Sequence, residues 1–292
     1  MTSAAGPAAA RWLVLGAGGM LGTDLLATLA GRPVTGLARA DLDVTDAGAV
    51  GDAVRGYDVV VNAAAWTKVD DAESHEPEAF AVNAVGAANV ARACAASGAA
   101  MVQLSTDYVF AGDAAAPYPE DAPTAPRSAY GRTKLAGEWA VRATLPSRSW
   151  VLRTAWLYGA AGPSFVTTVR RLLAERDTVS VVDDQTGQPT WTGDLARRVV
   201  ETVDLQAPPG TYHATASGRT TWFGLARAVA VLSGLDPERV LPTTTAAFPR
   251  PAPRPAWSVL GQERWARAGL QPMRPWDEAL QAAWPTLPAP TA

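Results

Sequence analysis

The stretch Trp12-Leu13-Val14-Leu15-Gly16-Ala17-Gly18-Gly19-Met20-Leu21-Gly22 decides the fold. A short apolar run ends in glycines at 16, 19 and 22, and Leu21, Leu25, Leu26 and Leu29 follow at helical spacing. That order reads as strand, glycine turn and helix. The glycines let the turn be tight, let backbone N–H groups approach a pyrophosphate, and let the helix pack on the strand. A bound diphosphate would then lie at the positive end of the helix. A purely structural turn is the alternative, and the position directly after the first strand favours the nucleotide.

Outward from this turn, strands are predicted at Val34–Leu37, Asp58–Asn62, Met101–Ser105 and Trp150–Arg153, separated by helical segments. Strand and helix alternating in this way make a Rossmann-type α/β fold, a doubly wound parallel sheet with ligands at the carboxyl ends of its strands. Gly16, Ala63, Ser105 and Trp156 fall at such ends. After Gly162 the pattern becomes less regular, which suggests a smaller, mixed α/β substrate domain. The expected division is a disordered leader at 1–10, a dinucleotide domain over 11–160, and a substrate domain over 161–292 with some segments free to return to the first.

The end of the second strand bears on the cofactor. An acid there commonly binds the ribose hydroxyls of NAD, whereas an arginine can accept the 2′-phosphate of NADP. The chain has Ala38-Arg39, with Asp41 and Asp43 close behind. NADPH is therefore the expected cofactor, with NADH the alternative. Ala63, Ala64 and Ala65 are small enough to let a flat ring lie close to the backbone.

Tyr130 and Lys134 are spaced to share one face of a helix that Ser128 can cap. A nearby ammonium favours the phenolate and would tune a phenol, whose ordinary pKa is about 10, toward proton transfer. Among 25 basic residues only Lys68 and Lys134 are lysines, so a lysine at this spacing stands out in an arginine-rich chain.

Composition excludes several classes. The 292 residues are 48 % hydrophobic and 18 % charged, with a net charge of −3, which offers no electrostatic footprint for nucleic acid or an anionic membrane. No signal-like segment and no apolar run of about 20 residues is apparent, so neither nucleic acid nor membrane is an expected partner and a cytoplasmic location is expected. Cys94, the lone cysteine, reads as a packing residue, and no metal site is expected.

Taken together the motifs resemble the dTDP-4-dehydrorhamnose reductase family within the extended short-chain dehydrogenase/reductases. The resemblance runs from about residue 12 to 280. It rests on Gly16-x-x-Gly19-x-x-Gly22, Val61-Asn-Ala-Ala-Ala65 with Thr67-x-Val69-Asp70, Ser105-Thr-Asp-Tyr-Val-Phe110 and Tyr130-Gly-x-Thr-Lys134-x-x-Gly-Glu138. Arg153-Thr-x-Trp156, Asp184-Gln-x-Gly-x-Pro-Thr190, Tyr212-His213 and Arg254-Pro-x-x-Ser258-x-Leu260 complete it. The resemblance implies NADPH-dependent reduction of the C4 ketone of a dTDP-linked 4-keto-6-deoxysugar, by a monomer or homodimer. It implies that Tyr130 donates the proton, that Lys134 lowers the phenol's pKa and holds the nicotinamide ribose, and that Thr106 bonds the carbonyl oxygen. It further implies cofactor contacts from Gly16, Gly19, Met20, Leu21, Gly22, Arg39, Asp43, Val44, Ala63, Ala64, Ala65 and Thr67. Substrate contacts would come from Val69, Ser105, Thr106, Asp107, Trp156, Gln188 and Arg254. His75 and His213 receive no role. The chain departs from the family at Ala38, where an acid is common, and at Ser164 in Gly162-Pro-Ser-Phe165, where an asparagine is common.

Related chemistries compete. A nucleotide-sugar dehydratase needs a glutamate where this chain has Tyr108. An epimerase would hold and recycle NAD. A regulatory subunit such as the β subunit of methionine adenosyltransferase would have no use for an intact Thr106/Tyr130/Lys134 set. The sequence leaves the particular sugar open.

Overall fold

The computed structural model describes residues 10–289. The leader expected at 1–10 therefore lies, except for Ala10, outside the described residues. The first half runs β1 (Trp12–Leu15), α1 (Met20–Thr28), β2 (Val34–Leu37), α2 (Ala47–Val54) and β3 (Val59–Asn62). A helix over Glu76–Ser97 follows, made of α3 (Glu76–Phe80) and α4 (Ala87–Ser97) joined by a π-helical stretch at Ala81–Gly86. Then come β4 (Ala100–Thr106), α5 (Ala129–Thr144) and β5 (Ser149–Thr154).

The second half begins with β6 (Leu157–Tyr158), α6 (Phe165–Glu175) and β7 (Val179–Val182). It continues through β8 (Thr186–Gly187), β9 (Thr190–Trp191), α7 (Thr192–Asp204) and β10 (Gly210–His213). β11 (Thr220–Thr221), α8 (Trp222–Leu232), β12 (Val240–Thr243), α9 (Glu263–Arg267) and α10 (Trp276–Ala283) complete it.

Six strands form one parallel sheet in the order β10-β5-β4-β3-β1-β2. The chain leaves β1 for β2 on one side and then crosses to β3 on the other. The crevice of such a sheet opens where that direction reverses, at the carboxyl ends of β1 and β3. Gly16 occupies this point with φ +79°, and a Cβ on it would lie 2.7 Å from the Ala64 nitrogen. Gly22 is as confined, since its Cβ would meet the Ala17 backbone at 2.7 Å. Both positions require glycine.

Side chains alternate across the sheet with the period of two that a strand imposes. Trp12, Val14, Val59, Val61, Val102, Trp150 and Leu152 pack under α1 and α7 on one face. Leu13, Leu15, Val60, Met101 and Val151 pack under α2, α4 and α5 on the other. Both faces are covered, which accounts for the unbroken apolar runs of β1, β3 and β5. Helix Glu76–Ser97 is long and apolar enough, by length and composition, to cross a membrane. Here it is a core helix, with Ala87, Val90, Ala91 and Cys94 buried against the sheet.

The second half contributes to this sheet. β10 pairs with β5, and Trp265 on α9 buries its indole against Tyr212, with ring centroids 4.4 Å apart. A separate core gathers Val169, Leu173, Val179, Leu225, Val229 and Leu280 from α6, α8 and α10 around the β7–β12 pair.

Substituting glycines at crowded and open places tests this packing. Gly22→Ala is expected to cost about 1–3 kcal/mol through backbone overlap. Gly51→Ala, inside α2 with nothing within 4 Å of the new methyl, is expected to gain up to about 1 kcal/mol from helix propensity. Urea unfolding of the two variants reads the difference; equal effects would discard the assignment.

Candidate active site

A cleft of about 1100 Å³ follows the carboxyl edge of the sheet. A single small-ligand site typically offers about 300–1,000 Å³, so this one has room for a dinucleotide and a second ligand.

One end is the glycine turn. Gly16, Gly18, Gly19, Met20, Leu21 and Gly22 line it, and no side chain caps α1. Leu37 to Arg39 and Asp43 to Thr45 continue the wall. The two nearby acids are engaged locally. Asp41 accepts from the Ala38 nitrogen at 2.9 Å, and Asp43 accepts from the Thr45 nitrogen and hydroxyl at 2.9 and 2.8 Å. Those Thr45 bonds hold the Asp43 carboxyl below its usual range. Arg39 is exposed and makes no hydrogen bond or ion pair among the described residues.

Ala63, Ala64, Ala65, Trp66, Thr67 and Val69 form the middle of the wall. The Trp66 Nε1 and the Thr154 hydroxyl, both buried and both lining the cleft, have no hydrogen-bond partner among the described residues. The glycine cradle, the uncapped helix end and these unpaired donors fit a bound dinucleotide.

The residues expected to be catalytic gather where β4 ends. The Ser128 hydroxyl accepts from the Gly131 nitrogen at 3.1 Å and starts α5. Gly131 has no room for a side chain, because the helix start rests on the Tyr108 carbonyl. This contact brings Tyr130 against Thr106 and Tyr108, whose ring meets it edge-on with centroids 5.6 Å apart. Burial pushes the Tyr130 phenol up to about 12, against the pull of the adjacent Thr106 hydroxyl. Lys134 is 4 % exposed, donates to the Leu104 carbonyl at 2.6 Å, and is pushed down to about 8 by burial. The expectation that the lysine depresses the phenol is not met here. Its ammonium is occupied by a backbone carbonyl, and desolvation of the phenol dominates.

Asp107 is also buried. Its Oδ1 accepts from the Thr106 hydroxyl at 2.9 Å, while Oδ2 has no hydrogen-bond partner among the described residues. Burial pushes this carboxyl up to about 6, against the pull of the Thr106 hydroxyl.

The far wall is aromatic. Trp156 lies just past β5 with φ +49°, a left-handed backbone that is costly for a bulky residue. Its indole stacks on Trp222 at 3.5 Å and 7°, and its other side faces Gly187, where a Cβ would come within 2.5 Å. Ser105, Thr106, Asp107, Tyr130, Lys134 and Trp156 thus meet in one cleft, together with Trp66 and Trp222, which the sequence reading did not single out. Trp222 opens α8, and nothing in its local sequence marks a cleft residue.

Two expected substrate residues lie elsewhere. Gln188 is buried away from the cleft, its amide bonded to both the Leu260 nitrogen and carbonyl and to Thr215. Arg254 pairs with Asp70 at 2.8 Å and lines a smaller adjoining cavity with Tyr108 and Arg127. Its guanidinium is held by a carboxylate that a diphosphate would have to displace.

A parallel doubly wound sheet, a glycine turn at its reversal point and a Tyr-x-x-x-Lys helix facing that turn define an extended short-chain dehydrogenase/reductase. The chain belongs to the family described as RmlD substrate binding domain, which it matches over residues 10–287. It is 54 % identical over 285 residues to the dTDP-4-dehydrorhamnose reductase of Streptomyces griseus, covering 95 % of this chain and 94 % of the relative. It is 47 % identical to the dTDP-4-keto-6-deoxy-D-glucose reductase of Streptomyces niveus, covering 96 % and 98 %. The crystal structure of the Bacillus anthracis dTDP-4-dehydrorhamnose reductase in complex with NADP superposes with a TM-score of 0.91 at 35 % identity, covering 94 % and 99 %.

Asp107 yields a stability test. A carboxyl raised from 3.8 to about 6 is stabilising to the fold only while protonated, so that contribution is lost as pH rises through 6. Asp107→Asn is therefore expected to be more stable than the parent above pH 6, by up to about 3 kcal/mol, with the gap closing toward pH 4. Urea unfolding at pH 4 and 7.5 measures it; a pH-independent difference would refute the assignment.

Proposed function

We propose that this chain reduces the C4 ketone of a dTDP-linked 4-keto-6-deoxysugar with NADPH, and that Tyr130 is the proton donor. One observation carries the reading. Thr106, Tyr130 and Lys134 meet in the same cleft as a glycine turn suited to a pyrophosphate and an exposed Arg39 suited to a 2′-phosphate.

Gly16 to Gly22 would hold the diphosphate, Arg39 the 2′-phosphate, and Lys134 the nicotinamide ribose. Reduced nicotinamide, when bound, supplies the hydride. The chain's own residues manage the charge left on the C4 oxygen. A phenol near 12 keeps its proton at neutral pH, and a sugar alkoxide is more basic than a phenolate, so transfer from Tyr130 to that oxygen runs downhill. Thr106 would turn its hydroxyl from Asp107 to hydrogen-bond the same oxygen, where a donor favours the transition state. Dehydration lacks its glutamate, because the position holds Tyr108, whose buried phenol is raised still further.

The relatives' substrates share a 4-ketone and a dTDP handle. An assay of NADPH oxidation against dTDP-4-dehydrorhamnose and dTDP-4-keto-6-deoxy-D-glucose, with product configuration read by NMR, tests the class and selects the sugar; no turnover of either would reject it. Tyr130→Phe is expected to bind NADPH normally and lose at least about 100-fold in kcat. Near-full activity would remove Tyr130 from the mechanism. Arg39→Ala is expected to raise KM for NADPH about tenfold and to leave KM for NADH unchanged, in line with loss of one charge-assisted contact. Equal effects on both cofactors would remove Arg39 from the phosphate site.

A further inference from the structure

A buried chain of polar side chains adjoins the site, and the reaction described above makes no use of it. The Ser105 hydroxyl donates to Glu138 Oε1 at 2.5 Å. Arg153 holds the same carboxylate through Nε, at 2.9 and 3.2 Å, and through Nη2 at 2.7 Å. Its Nη1 donates to the Glu120 carbonyl at 3.2 Å and faces His213 Nε2 at 3.5 Å. His213 Nδ1 lies 2.8 Å from the Gly261 carbonyl. Burial and the Arg153 charge push that imidazole down to about 3, so it is neutral, with Nδ1 donating to Gly261 and Nε2 left to accept.

The Glu138 and Arg153 side chains are only 3 % and 6 % exposed. Desolvating two charges offsets most of what their attraction returns, so an ion pair this deep is weak evidence of a device for stability. Its location points elsewhere. Glu138 lies one helical turn beyond Lys134 and two beyond Tyr130, on the same face of α5. Leu104 and Ser105 are neighbours on β4; the carbonyl of the first takes the Lys134 ammonium, and the hydroxyl of the second takes the Glu138 carboxylate.

We propose that the Glu138–Arg153 pair positions Lys134: bonded to Ser105, the Glu138 carboxylate fixes the strand end whose Leu104 carbonyl seats the ammonium and lays a negative charge one helical turn from it, and Arg153 offsets that charge. This deepens the reductase reading and rests on it for the role of Lys134. Among the charges around Lys134, Glu138 is the one that raises its proton affinity against burial. The other groups facing this cluster are the Ser105 hydroxyl from β4, Glu120 from the loop before α5, neutral His213 from β10, and Tyr130 and Asp107 on the cleft side. Glu138 and Arg153 are positioning residues; neither lines the cleft.

The test is the pH dependence of NADPH binding, followed by fluorescence titration from pH 6 to 10, alongside kcat/KM with dTDP-4-dehydrorhamnose. In the parent, affinity is expected to fall as pH rises through about 8, where Lys134 loses its proton. Glu138→Gln is expected to move that fall about one pH unit lower, a tenfold change in proton affinity, and Arg153→Gln to move it higher. Glu138→Asp keeps the charge and the partners, and is expected to shift the limb slightly in the same direction as Gln. If the glutamine variants do not fold, the aspartate variant decides. A purely structural pair would lower affinity or activity equally at every pH. Unmoved limbs, or a shift in one common direction for Glu138→Gln and Arg153→Gln, would overturn the proposal. A parent that binds NADPH yet reduces no sugar would strike the functional reading alone, since the binding titration needs no sugar.

Discussion

The contact on which the rest depends is backbone against backbone. Gly16 lies so close to Ala63 and Ala64 that no side chain fits between them. It draws the carboxyl ends of β1 and β3 together where the sheet reverses direction, and α1 leaves from the same point. A parallel sheet has all its carboxyl ends on one edge, so β4 and β5 deliver Thr106 and Trp156 beside that crevice without further adjustment. The helix packed on β4 then decides which side chains face it. Because α5 rests on the Tyr108 carbonyl at Gly131, Tyr130 and Lys134 look into the cleft and Glu138 looks along the strand.

Legibility in the sequence follows the range of each interaction. The strands of the first half could be read because burial on both faces writes them as apolar runs, and the glycine turn because its spacing is local. Tyr130 and Lys134 could be paired because a helix fixes what lies four residues on. The partner that Lys134 takes, the Leu104 carbonyl, could not be read, since every residue has a carbonyl. Nor could Arg254's attachment to Asp70, which spans 184 residues. Gln188 reads as a polar loop residue, yet its amide closes a buried junction 72 residues away in sequence. The Trp156–Trp222 stack depends on how α8 docks, and a chain with 11 tryptophans offers no local reason to choose that one.

Several of the buried charged groups gather beside the cleft. Asp107, Lys134, Glu138 and Arg153 are all buried around one strand end. Desolvation moves Asp107 and Lys134 in opposite directions, leaving one near 6 and the other near 8. Both therefore sit within reach of neutral pH, which an exposed carboxylate or lysine does not. The same burial that costs the fold stability sets these groups' proton affinities.

β10 has a consequence for how the molecule is made. β5 (Ser149–Thr154) emerges from the ribosome about sixty residues before β10 (Gly210–His213), the strand that covers its outer edge. During that interval a buried-type strand presents unpaired amides and carbonyls, the geometry that invites association with another chain. The nascent protein must hold this edge in reserve until Gly210–His213 arrives, and Trp265 closes over the new strand later still. Truncation anywhere before residue 213 would leave the edge permanently open, so the first half of the chain is a poor candidate for expression by itself.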